Sequence, residues 1–203
     1  MTKRTLLALG AAAALLFVAA VAIGSAVVSD PDTKPSPSPP PQARAAPPSD
    51  TPAGFERFRD DRAGVSIAYP RDWRRLPADD PDVRLLVGDG ERQSLLLRDA
   101  PVGLRVTRET LPSVRDLTDG LVRSDPSVQL SAPRREIVLG DLPGYRYRYT
   151  FAAAGGRRGA HEHVFLFKDD RMITIVVQTL PAGPPARLSA LFERVAGTFR
   201  GRA

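Results

Sequence analysis

The residues best suited to metal or acid–base chemistry are His161 and His163, the chain's only two histidines, which flank Glu162 in the stretch HEHVFLFK. Residues two apart in a strand share a face, so both imidazoles could ligate one ion. A metal site needs a third or fourth ligand, however, and Glu162 projects from the opposite face. The segment from Ala152 to Ala160 that precedes this strand has an odd number of residues. Without a bulge, odd positions then pair with odd ones. That puts His161 and His163 on the face of Tyr149 and Phe151, as the wet end of an aromatic stripe. No cofactor and no metal is expected, His161 and His163 being the pair to test should one be bound.

A second constellation is YRYRYTF, in which Tyr145, Tyr147, Tyr149 and Phe151 alternate with Arg146, Arg148 and Thr150. Tyrosines that stack bases work with cations gripping phosphate on the same surface. Here the two sets lie on opposite faces, which reads as an aromatic core under solvated arginines. The third is GVSIAYPRDWRRLP, where the only tryptophan, Trp73, precedes Arg74 and Arg75. These three residues form either a ligand or partner contact or, in the case of Trp73, a plug at one end of the core. Carboxylate pairs Asp60-Asp61 and Asp169-Asp170 fall in turns, where adjacent acids face water. G-x-S-x-G and phosphate-loop signatures are missing, and with no cysteine there is no thiol nucleophile or thiolate metal site. No catalytic residue is expected. An exported hydrolase or metal-dependent enzyme using His161 and His163 is the rival reading.

The elements that would position these groups follow from periodicity. Val65, Ile67 and Tyr69 alternate with Ser66 and Ala68 as a half-buried strand, which Pro70 ends. Apolar runs on either side of Gly88-Asp89-Gly90 signal a hairpin. GLRVTRET alternates again through Leu104 and Val106. The period then changes: Val114, Leu117 and Leu121 fit one face of a short helix, with Ser113 and Asp116 at capping-box spacing and Gly120 weakening it. Gly140 to Gly144 reads as a turn before the tyrosine strand. MITIVVQTL is apolar on both faces and hence central. Pro184 and Pro185 open a closing helix whose stripe is Leu188, Leu191, Phe192, Val195 and Phe199. Strands, helix, strands, helix is an α+β order: an antiparallel β-sheet flanked by helices.

The rest of the chain concerns location. Its 203 residues carry 29 Lys and Arg, only three of them lysine, against 23 Asp and Glu. Acids and arginines are interleaved, so no nucleic-acid patch stands out and no nucleic acid is expected as partner. Residues 1–4, with Lys3 and Arg4, read as a cytoplasmic tail. The uncharged run of 25 residues from Thr5 to Ser29 is long enough to span a bilayer as a transmembrane helix. Charge before and after it predicts a single pass, amino terminus inside and domain outside. Gly24-Ser25-Ala26 keeps open the alternative of a cleaved signal and a secreted domain. Residues 30–53 read as a disordered Pro-rich linker, nine of the 22 residues from Pro31 to Pro52 being proline. Residues 54–200 form the exported domain.

One resemblance spans that domain from about Phe55 to Phe199. Phe58, Asp60-Asp61, Gly64, Tyr69, Pro70 and Trp73, followed by the turn and strand from Gly140 to Tyr149, two further strands and an amphipathic helix, resemble the PsbP-like fold. Within it the chain is most similar to actinobacterial exported domains of the LpqN type, but it lacks their acylated cysteine and carries an apolar segment instead. The resemblance implies an α/β/α sandwich that binds partners and has no catalytic residues, with Trp73 closing the corner after the first hairpin. The resulting expectation is a membrane-tethered extracytoplasmic binding or accessory module of the cell envelope, with an envelope protein or lipid as partner. An envelope-lipid or polyanion binder is the other non-enzymatic alternative.

Overall fold

The computed structural model describes residues 51–90 and 92–201. The expected tail, membrane segment and most of the linker lie outside the described residues. Among the described residues no helix is long and apolar enough to cross a membrane.

The chain opens with an antiparallel hairpin, β1 (Phe55–Asp60) and β2 (Val65–Pro70), with Phe58 opposite Ile67. Short β3 (Arg74–Arg75) leads to the hairpin of β4 (Val83–Gly88) and β5 (Gln93–Pro101). At its tip the Asp89 carboxylate accepts the amides of Arg92 and Gln93, fixing the turn. A 3-10 turn at Leu111–Val114 runs into α1 (Arg115–Arg123). Then come β6 (Gln129–Leu139), β7 (Leu142–Ala152), β8 (Arg158–Lys168), β9 (Arg171–Thr179), α2 (Pro185–Ala196) and β10 (Arg200–Gly201). Seven strands make one antiparallel sheet in the order β3-β4-β5-β9-β8-β7-β6. As its double-sided apolar pattern requires, β9 is the middle strand.

This sheet is covered on both faces. One face carries Leu85, Val87, Leu95, Leu97, Val164, Leu166, Ile173, Ile175 and Val177, packed against α2 and the first hairpin. The other carries the tyrosine stripe with Phe165 and Phe167, packed against Leu111, Val114 and Val122. The α+β expectation holds, with an addition: the first hairpin and β10 form a separate three-stranded sheet, β1-β2-β10. Its centre, β2, is therefore buried on both faces rather than half-buried, Ser66 and Ala68 included.

Four local readings need correction. Gly140 and Asp141 alone make the β6–β7 turn, both with positive φ (54° and 67°), as a two-residue hairpin of matching twist requires. Pro143 lies inside β7, where pairing with β8 begins only at Gly144, so its missing amide costs no bond to that strand. Residues 102–110 form a loop, not a strand: Val106 is buried and its amide donates to the Asp169 carbonyl, but Leu104 is exposed. Helix α1 buries Thr118 and Val122 and leaves Leu117 38% exposed. Its N-cap is Val114, without a side-chain bond, and Ser113 Oγ instead donates to the Thr110 carbonyl. The register is set by a polar contact that hydrophobic spacing cannot register, Thr118 Oγ1 to Tyr147 Oη at 2.6 Å.

Strand β6 is an unpaired edge of eleven residues. Two register shifts, Pro133 and the charged run Arg134-Arg135-Glu136 make it a poor template for another strand.

Candidate functional site

The histidines sit where strand parity put them. Tyr149 faces His161 and Tyr147 faces His163 across β7 and β8. They are not the wet end of the stripe, however. His163 is 4% exposed and stacks on Phe165 with ring centroids 4.2 Å apart. Tyr149 Oη lies between the two imidazoles, 3.0 Å from His161 Nδ1 and 2.8 Å from His163 Nδ1. His161 Nε2 is 2.8 Å from Gln178 Oε1.

One proton arrangement satisfies this chain. His161 donates from Nε2 to Gln178, Tyr149 donates to His161 Nδ1, and His163 donates from Nδ1 to Tyr149. His163 Nε2 is then a bare lone pair, and it has no hydrogen-bond partner. A buried lone pair costs less than a buried unpaired N–H. Burial holds His161 neutral, down to about 4 despite opposing contacts from Gln178 and Asp125. Burial, and then the neighbouring His161, push His163 well below the ordinary histidine value. Among the described residues no group of three or more His, Cys, Asp or Glu surrounds a common point.

Trp73, Arg74 and Arg75 separate. Trp73 is 7% exposed and belongs to the core between the sheet and α2, with its amide donating to the Pro70 carbonyl at 3.1 Å. Arg74 and Arg75 form the exposed edge strand β3. Arg75 lies 5.2 Å over the Phe58 ring and donates from Nη1 to the Arg84 carbonyl.

The turn carboxylates do not all face water. Asp60 Oδ1 accepts the Ala63 amide, and Asp60 Oδ2 is 3.6 Å from Arg84. Arg84 also reaches Asp99, a buried carboxylate bonded by Arg171 at 2.5 Å. This series links the small sheet to the large one.

A surface cleft of about 260 Å³ lies between the 102–110 loop and the turns at Asp141 and Asp169. Two of its three cations are engaged: Arg105 pairs with Asp169, and Lys168 Nζ donates to the Ala63 carbonyl.

The most developed polar cluster was missed by taking Arg146 and Arg148 as solvated. Glu162, 0% exposed, accepts Arg146 Nε at 2.9 Å, Arg148 Nε at 2.6 Å and Ser189 Oγ at 3.0 Å. Arg146 further donates to Glu193 on α2 and stacks 4.1 Å over Phe192. Burial lowers the Arg146 guanidinium, but the bonds to Glu162 and Glu193 outweigh it and leave it above its ordinary value. Parity contained the signal: it sets Glu162 directly opposite Arg148. The cluster clamps α2 to the sheet. We expect Glu162→Gln to cost about 2 kcal/mol in denaturant unfolding, a buried pair's cost reduced because both arginines keep some access to water. Wild-type stability in that variant would mean the clamp contributes nothing.

No family model matches this chain, and no curated protein matches it. Solved structures do. The fold is similar to cyanobacterial PsbP (CyanoP) from Synechocystis sp. PCC 6803, at 17% identity and a TM-score of 0.59, covering 78% of this chain and 98% of that one. It is also similar to LpqN, involved in cell envelope biogenesis of Mycobacterium tuberculosis, at 10% identity and a TM-score of 0.52, covering 72% and 90%. A protein of Bacteroides thetaiotaomicron matches at 15% identity and a TM-score of 0.50, covering 74% of this chain and 49% of that one. The described domain thus has a PsbP-like fold, resembling LpqN-type domains.

Proposed function

We propose that this chain is a membrane-tethered, extracytoplasmic binding or accessory module of the cell envelope that performs no catalysis. The observation that carries the reading is the PsbP-like fold over nearly the whole described domain, shared with an LpqN involved in cell envelope biogenesis. The uncharged run behind Lys3 and Arg4 supplies the tether and the orientation. Its partner is an envelope protein or lipid. Arg74 and Arg75 are the part of the sequence-predicted contact that reaches solvent, with Trp73 buried beneath.

The interior chemistry supports binding over hydrolysis. Three of the four ring nitrogens of His161 and His163 are engaged by Tyr149 or Gln178, and the fourth is sealed in the core. Glu162 spends its oxygens on two arginines and a serine. A general base needs a free lone pair within reach of substrate.

Topology is the test. A phosphatase fused after Pro52 is expected to be active outside the cytoplasm, and the full chain to stay with membranes through a high-salt wash. Soluble protein beginning at Val27 would show a cleaved signal instead, and cytoplasmic phosphatase would sink the exported reading altogether.

A further inference from the structure

Beside α2, the sheet face that holds Glu162 continues to the open edge at β6 and carries an excess of guanidinium groups. Arg135 stands opposite Arg146, and Ala132 opposite Arg148. Arg158, at the start of β8, reaches back to donate from Nη2 to Thr150 Oγ1 at 2.6 Å and to Gln129 Oε1 at 3.1 Å. Four arginines therefore share this face with only two carboxylates, Glu162 and Glu193.

Their donors are unequally used. Arg146 is committed on both sides. Arg148 is held through Nε by Glu162, which leaves its two Nη groups as a fork without a partner among the described residues. Among the described residues Arg158 meets only neutral acceptors, and exposed Arg135 has no carboxylate partner. From Arg146 to Thr150 the strip runs about 14 Å along β7. Like charges held this close repel one another, and an arriving anion relieves that cost. A guanidinium already fixed by a buried carboxylate loses little further freedom when it binds, and its fork matches the oxygens of phosphate.

We propose that Arg135, Arg148 and Arg158 form a binding site for clustered phosphate groups, carried by a soluble polyphosphate or by an array of anionic lipid headgroups. A single carboxylate would satisfy one fork, whereas linked phosphates set acceptor oxygens against all three. The site deepens the envelope-module reading by giving it a ligand class. It does not depend on the topology, so the two fail separately.

The test uses the full chain in neutral-detergent micelles, titrated calorimetrically with sodium tripolyphosphate. Saturable binding is expected. The exposed pair R135Q/R158Q should weaken it about tenfold, two surface charge contacts being lost. The charge-matched control R62Q/R115Q, on other surfaces, should stay within about twofold. Buried Trp73 fluorescence confirms that each variant is folded. Doping the micelles with phosphatidylglycerol separates the sources. Competition with tripolyphosphate assigns the site to headgroup arrays as well, and undiminished binding assigns it to soluble polyphosphate. No heat with tripolyphosphate, equal losses in the two double variants, or tighter binding of oligoglutamate would overturn the proposal.

Discussion

Trp73→Ala is expected to lose about 3–5 kcal/mol of unfolding free energy, the usual cost of truncating a buried large aromatic. Trp73 is 7% exposed and shares one core with Ile67, Leu85, Val87, Leu188 and Phe192. It lies where the first hairpin, the large sheet and α2 meet, so no single element can close over the vacated volume. A loss of that size is a large part of the roughly 5–15 kcal/mol that holds a domain folded. The neighbouring arginines set the scale. Arg74→Ala should stay within about 0.5 kcal/mol, since nothing in the fold depends on its side chain. Arg75→Ala should cost more, up to about 1 kcal/mol, because it covers Phe58 and bonds the Arg84 carbonyl. Denaturant unfolding of the three variants beside the wild type decides the matter. A Trp73→Ala protein of full stability, with the parent indole quenched freely by iodide, would move Trp73 from the core to the surface and make it a ligand contact.

The sequence announced the fold wherever apolar period and turn chemistry agreed. In MITIVVQTL both faces are apolar, and β9 is the central strand. The stripe of the closing helix emerges as Leu188, Phe192 and Val195 in the core. It failed where a polar contact set the geometry. The register of α1 follows the Thr118–Tyr147 hydroxyl pair, and a hydropathy pattern counts that threonine as solvent-facing. Short β10 was invisible because two residues carry no period, yet its pairing with β2 makes the small sheet.

The candidate site was half legible for a related reason. Parity through an odd loop placed His161 and His163 beside the tyrosines, but the side of a sheet does not tell how deeply it is covered. Covering comes from α1 and its preceding turn, which pack over the stripe. The same parity contained the Arg148–Glu162 pair. Charged residues in a strand read as solvated until the length of α2, and the placement of Ser189 and Glu193 on it, are known.

Burial of two neutral histidines makes stability depend on pH, in a direction that follows from the shifts. Both groups have folded values below the roughly 6.5 of an unfolded histidine: His161 near 4 and His163 well below 6.5. Above 6.5 both states are neutral and nothing is lost. As pH falls below 6.5 the unfolded chain takes up protons that the folded chain refuses, so stability declines until the folded histidines themselves titrate. At pH 5 the loss from His161 is about 2 kcal/mol, and His163 adds to it in the same direction. Asp119 and Asp80 add little in this window. Asp119 is lowered by the bonds from Arg134 and Tyr147, which outweigh its burial, and Asp80 by Arg98 against the same opposition. Their contributions are present above the ordinary carboxylate value and disappear only as pH falls through the still lower folded values. Urea unfolding at pH 7 and pH 5 is the measurement, with His163→Gln beside the wild type. That variant keeps a polar group near Tyr149 but cannot titrate, so its drop between the two pH values should be smaller than that of the wild type. The difference is read within each protein, which leaves any general destabilisation by the substitution out of the comparison. Equal stability of the wild type at pH 7 and pH 5 would mean that both histidines take up protons in the folded state. The Gln178–His161–Tyr149–His163 chain would then have to accommodate a charge at the one nitrogen it leaves without a partner.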